Sequence, residues 1–162
     1  MQTLGGVAIE GGGYGLKRIS GSFTTLSNGT PTGIRTTKGN FTVTRNAQGV
    51  YTVQYAQPGI SVVFADAWLT YASAIVGAGS VSLGTAELGV VNCSGDFMTS
   101  DGTHYTADTT NSKFLILVYN AGSNHTSLSL TDVYSLTAGN TSGVANVRVN
   151  FEFQVATDSS NY

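Results

Sequence analysis

Two stretches of this chain alternate apolar and polar residues so regularly that they admit one kind of local structure. In NVRVNFEFQVATD, every second position is apolar (Val147, Val149, Phe151, Phe153, Val155), with Arg148, Asn150, Glu152 and Gln154 between them. A strand turns successive side chains to opposite faces, so this pattern buries one face and wets the other. FTVTRNAQGVYTVQY, Phe41 to Tyr55, shows the same alternation, broken once and resumed. Setting Phe41, Val43 and Arg45 opposite Tyr55, Val53 and Tyr51 places Phe41, Val43, Tyr51, Val53 and Tyr55 on one face. Thr42, Thr44, Thr52 and Gln54 then share the other. Ala47-Gln48-Gly49 remains as the loop, with Asn46 opening a type I turn and Gly49 in the left-handed position. A β-branched residue at 49 would be strained there.

The rest of the chain reads the same way. KFLILVYN, Lys113 to Asn120, is continuously apolar and suits a central strand. GISVVFADAWLTYAS is apolar at Val63, Ala65, Ala67, Leu69 and Tyr71, and carries Val62, Phe64, Asp66 and Trp68 at the alternate positions. A strand apolar on both faces is either central or covered by something else. No 3.6-residue period runs for three turns with caps; TAELGVVN comes nearest, and Gly89 and its β-branched pair spoil it. Short strands separated by Gly, Asn, Ser and Thr imply an all-β antiparallel sandwich or barrel. With 162 residues the chain fits one domain. We expect a Gly-rich flexible N-terminal arm over 1–15 and a single β-sandwich domain over 16–162. Polar loops are expected near Ser94–Ser112 and Ala138–Ala145.

Only 10% of residues are charged, against about 25% in an ordinary soluble domain. A net charge of −2 gives no electrostatic footprint for nucleic acid or anionic lipid. The adjacent Lys17-Arg18 pair reads as a solvated turn. So weakly charged a surface gives little protection against association, and partners are expected. Cys93, the only cysteine, lies in an apolar, strand-like context and reads as a small buried hydrophobe. No secretory leader or membrane-length apolar run is legible, and the sequons at Asn28, Asn40, Asn92, Asn124 and Asn140 read as chance products of a Thr/Ser-rich chain.

Chemistry is harder to find. FMTSDGTHYTAD gathers Asp96, Asp101, His104 and Asp108, which could supply metal ligands. Their spacing matches neither an EF-hand nor a zinc motif, and Asp-Gly among Thr and Ser marks a turn-rich loop instead. GGGYGLKR lacks the spacing of a phosphate-binding loop. There is no Gly-x-Ser-x-Gly elbow, and nothing places His104 or His125 beside Cys93 or a serine. Trp68, Tyr105, Tyr119 and Tyr134 could stack on a sugar, although aromatics in β proteins are more often core. No enzymatic activity and no cofactor are expected.

The order of pieces is itself informative. A Gly-Ser-Phe strand, a Thr-Pro-Thr-Gly-Ile-Arg segment, Arg-Asn-Ala-Gln-Gly, Val-Tyr-Thr-Val and a closing VRVNFEFQVATD together resemble the head decoration (cement) and head-fibre proteins of tailed bacteriophages. The resemblance covers Gly21 to Tyr55 and Val147 to Asp158 and is carried by turn glycines and alternation. It implies a jelly-roll-like antiparallel sandwich, a homotrimer, on the outer surface of the virion capsid. There it would bridge major capsid proteins and stabilise the head, without an active site. Leu4, Val7, Ile9 and Tyr14 in the arm, with Phe64 and Trp68, are the expected contact residues. A carbohydrate- or receptor-binding module of a phage fibre is the alternative, and a hydrolase using His104 or Cys93 is a third reading.

Overall fold

The computed structural model describes residues 2–4, 7–9, 15–36, 41–56, 62–71, 89–106, 112–120, 129–136 and 147–157. Among them the chain is nearly all β, with a 3-10 turn at Val133–Leu136 and no α-helix. The strands are β1 (Gln2–Leu4), β2 (Val7–Ile9), β3 (Gly15–Thr25), β4 (Pro31–Thr36), β5 (Phe41–Ala47), β6 (Val50–Tyr55), β7 (Val62–Tyr71), β8 (Gly89–Ser94), β9 (Asp96–Met98), β10 (His104–Thr106), β11 (Lys113–Asn120), β12 (Ser129–Leu130) and β13 (Val147–Thr157).

Two antiparallel sheets face each other. One has the order β4-β3-β13-β7. The other centres on β11, which pairs with β6 through Lys113–Leu117 and with β12 through Tyr119 and Asn120. Because Leu115–Asn120 also pair with β8, that strand must run along the opposite side of β11. β5 closes the sheet beyond β6. The continuous apolar run at Lys113–Asn120 is thus explained: β11 has strand neighbours on both sides, and Phe114 to Val118 are all buried.

The alternation of β13 meets this architecture directly. Val147, Val149, Phe151, Phe153 and Val155 are buried and point at Tyr51, Val53, Tyr55, Phe114, Ile116 and Val118 of the facing sheet, with Ile19 and Phe23 beside them. Aromatic rings tie the two layers: Phe23 lies 5.1 Å from Tyr51 and Phe114 5.3 Å from Phe153, both tilted. Each such side chain contributes roughly 1.5–3 kcal/mol through burial, and offset rings add a little more.

The hairpin register is as read from the sequence, with Phe41, Val43 and Arg45 opposite Tyr55, Val53 and Tyr51. Gly49 has φ +71°. A bulge between Arg45 and Ala47 lets Ala47 pair with Val50, so the turn tightens onto Gln48-Gly49.

Other expectations change. Lys17-Arg18 is not a turn: both residues lie within β3, opposite Val155 and Gln154. The segment expected as a loop from Ser94 contains the β9–β10 hairpin. Of the two arrangements open for the segment apolar on both faces, central or covered, β7 is not the central one: among the described residues it pairs only with β13 and forms an edge. Within the expected arm, Gln2–Leu4 pairs antiparallel with Val7–Ile9, and β3 begins at Gly15. Tyr14, Asp108, His125 and Ala138–Ala145 lie outside the described residues.

Candidate functional site

Among the described residues, the outward face of the four-stranded sheet gathers charged, polar and aromatic side chains from four strands. Register across it is fixed by the buried alternation of β13: whatever is opposite Asn150 or Glu152 must share their outward side of the sheet, although Ser22 there is itself buried. Trp68 on β7 is opposite Asn150, Asn150 is opposite Ser22 on β3, and Ser22 is opposite Arg35 on β4. One row therefore runs Trp68, Asn150, Ser22, Arg35. The next row in one direction holds Thr70 and Arg148, and in the other Asp66, Glu152 and Ser20.

Hydrogen bonds brace this face. The Asn150 amide donates to Thr70 Oγ1 at 2.9 Å. Arg148 Nε donates to Ser22 Oγ at 3.2 Å, and its Nη2 donates to the Gly33 carbonyl. Burial, and then the like charge of Arg35, push the Arg148 guanidinium below its ordinary pKa. Arg18 pairs with Glu152. On the inward side, opposite Val155, Lys17 Nζ donates to Tyr55 Oη of the facing sheet at 2.8 Å.

Phe64 and Trp68 sit four residues apart on this outward side of β7 and are 48% and 45% exposed; Val63, at a bulge opposite Gln154 and Val155, is 53% exposed. Edge strands with exposed apolar side chains are ready surfaces for another chain. β7 runs beside β8 of the facing sheet. Between them lies an open cleft of about 190 Å³ bordered by Val63, Phe64, Cys93 and Ser94. Burial, with Asp66 nearby, pushes the Cys93 thiol up to about 12. A thiol that remains protonated is a poor nucleophile, which argues against the hydrolase reading at this position.

A second polar cluster lies at the β5–β6 turn. Asp132 accepts from Arg45 Nε at 3.0 Å and Nη2 at 2.9 Å, from Gly49 N–H at 3.1 Å and from Tyr51 Oη at 2.8 Å. Burial opposes charge on Asp132, but these donors outweigh it and hold the carboxyl below its usual range. Burial and the adjacent carboxylate push the Tyr51 phenol upward. Every donor is already committed, so the cluster clamps the turn to the segment after β12. It presents no free acid or base.

The Asp96–His104 region divides. His104 Nε2 contacts Asp96 Oδ1 across the β9–β10 hairpin. Asp101 accepts from Thr99 Oγ1 and, at 3.0 Å, from Thr103 N–H, so it serves the turn. Those hydrogen bonds, Thr99's first, lower its pKa. No group of three or more His, Cys, Asp or Glu able to hold a metal occurs among the described residues.

Of the expected contact residues, Phe64 and Trp68 share one exposed strand face, while Leu4, Val7 and Ile9 belong to the β1–β2 ladder. Of the aromatics, Tyr134 is also 48% exposed, whereas Tyr105 and Tyr119 are half-buried. Asp132, Arg35 and the partners of Arg148 were not legible as site residues, because their contacts join strands far apart in the chain. Together these features define an antiparallel β-sandwich, with exposed aromatic and paired charged side chains on the outward face and edge of its four-stranded sheet. No protein-family model, curated protein or solved structure matches the chain.

Proposed function

We propose that this protein is a non-enzymatic structural protein of the capsid-decoration type. In this reading it is a jelly-roll-like sandwich that associates as a homotrimer on the outer surface of a virion and bridges major capsid subunits. The observation that carries the reading is the exposed strip Val63, Phe64 and Trp68 on edge strand β7, in a chain with too little charge to keep such a strip apart from neighbours. The resemblance of Gly21–Tyr55 and Val147–Asp158 to decoration proteins supplies the virion context. Light scattering on the purified protein, with co-sedimentation against assembled capsids, tests it. Trimer mass and saturable co-sedimentation are expected; a monomer at micromolar concentration that stays in the supernatant would refute it.

One observation favours the alternative of a carbohydrate-binding module. Trp68 is not core: it stands on the outward sheet face opposite Asn150, where an aromatic ring offers an apolar plane beside hydrogen-bonding groups. Loss of glycan binding in Trp68→Ser would support this reading, and a glycan array without a single hit would end it.

A further inference from the structure

Charge is scarce in this protein, and three of the described cations are visibly engaged. Arg18 is paired with Glu152, Arg45 with Asp132, and Lys17 with the Tyr55 hydroxyl. Arg35 and Arg148 differ. They lie side by side on the outward face of the four-stranded sheet, and among the described residues neither has a carboxylate partner. Arg148 is held by two neutral acceptors, Ser22 Oγ and the Gly33 carbonyl. That grip fixes its plane over β3 and β4, next to Arg35, which is opposite Ser22.

Two neighbouring guanidinium groups, one fixed and one exposed, repel each other, and that repulsion is relieved when an anion arrives between them. The lowered pKa of Arg148, caused by burial and by Arg35, fits the same geometry. A guanidinium fork matches a carboxylate in two parallel hydrogen bonds. The anion's carrier is indicated by what lies in line with the pair. The row continues through Ser22 and Asn150 to the exposed face of Trp68. Three strand spacings, roughly 14 Å, separate the two ends, a span suited to a short oligosaccharide lying flat.

We propose that Arg35 and Arg148 form a carboxylate-binding subsite for an acidic oligosaccharide, one of whose pyranose rings stacks on Trp68. This rests on the carbohydrate reading and is separable from it. Trp68 is the only tryptophan, so its fluorescence reports occupancy of the row without ambiguity.

The experiment titrates the protein with trigalacturonate, 3′-sialyllactose, methyl-esterified trigalacturonate and, as a non-sugar polyanion, poly-glutamate, following Trp68 emission and calorimetric heat. A saturable response to at least one acidic sugar is expected. Its affinity should fall as salt rises, and binding of the ester should be at least about tenfold weaker. Arg35→Gln, at an exposed position, should abolish that preference for the acid while leaving the melting temperature unchanged; Arg148→Gln should do the same with some loss of stability. Equal binding of acid and ester would overturn the anion subsite and leave the carbohydrate reading standing. No response to any of the three sugars would overturn both. A response to poly-glutamate alone would overturn the proposal in favour of an acidic protein partner.

Discussion

Asp132 shows how much a single carboxylate can organise when several donors converge on it. It receives both nitrogens of a guanidinium fork, a backbone amide and a phenol, although its nearest partner in sequence is 81 residues away. Asp132→Asn removes the charge to which three groups are oriented. Hydrogen bonds to charged groups contribute about 1.5–3 kcal/mol each, and Arg45 is partly solvated, so a net loss of about 2–3 kcal/mol is expected in urea denaturation. The pH dependence follows from the depressed folded pKa. The clamp's contribution is complete above the ordinary carboxylate pKa of about 3.9 and disappears as pH falls through the lower folded value. Melting curves between neutral pH and pH 2 should therefore fall more steeply for wild type than for Asp132→Asn in the acid range. Gly49 belongs to the same clamp. Its φ of +71° is compounded by crowding: a Cβ there would lie 2.6 Å from the Val118 carbonyl oxygen and 2.8 Å from the Thr131 backbone. Left-handed strain alone costs about 1–2 kcal/mol. Gly49→Ala should exceed that and reach about 2–4 kcal/mol, because backbone atoms cannot move aside as a side chain can.

Among the elements, β7 and β13 are adjacent yet play opposite parts. β13 is saturated on both edges and buries its whole apolar set, whereas β7 offers one edge and several large side chains to solvent. The double substitution Phe64→Ser and Trp68→Ser should change the melting temperature little, since both side chains are about half exposed already, but should lower the mass measured by light scattering. A marked loss of stability with unchanged mass would show that the strip serves folding instead. These strands also show what the sequence made legible. Period-two alternation predicted β13 and the Phe41–Tyr55 hairpin, including register, because one buried face fixes register by itself. β7 was harder: its apolar residues on both faces suit a central strand as well as an edge, and only its neighbours decide. The β9–β10 hairpin hid behind turn residues, since a three-residue strand is too short to display a period. The outward row from Trp68 to Arg35 could not be read locally at all. Its members come from four strands, and apart from Trp68 each looks alone like an ordinary polar strand residue.

On the scale of the whole molecule, two facing sheets close over an aromatic core while few charges reach the surface. Association of such a body should depend on apolar contact more than on ions, so the mass measured by light scattering should change little between low and high salt. A steep decline with salt would point to an ionic interface. The position of β13 has one more consequence, which concerns the order in which the protein can be made. β13 lies between β3 and β7 and pairs with both, yet it follows both in the chain. On the ribosome, Ile19 and Phe23 must wait for residues 147–157 before their layer can close. Until then the nascent chain carries open strand edges and uncovered aromatic side chains, the state in which chains of this topology cling to one another or to chaperones.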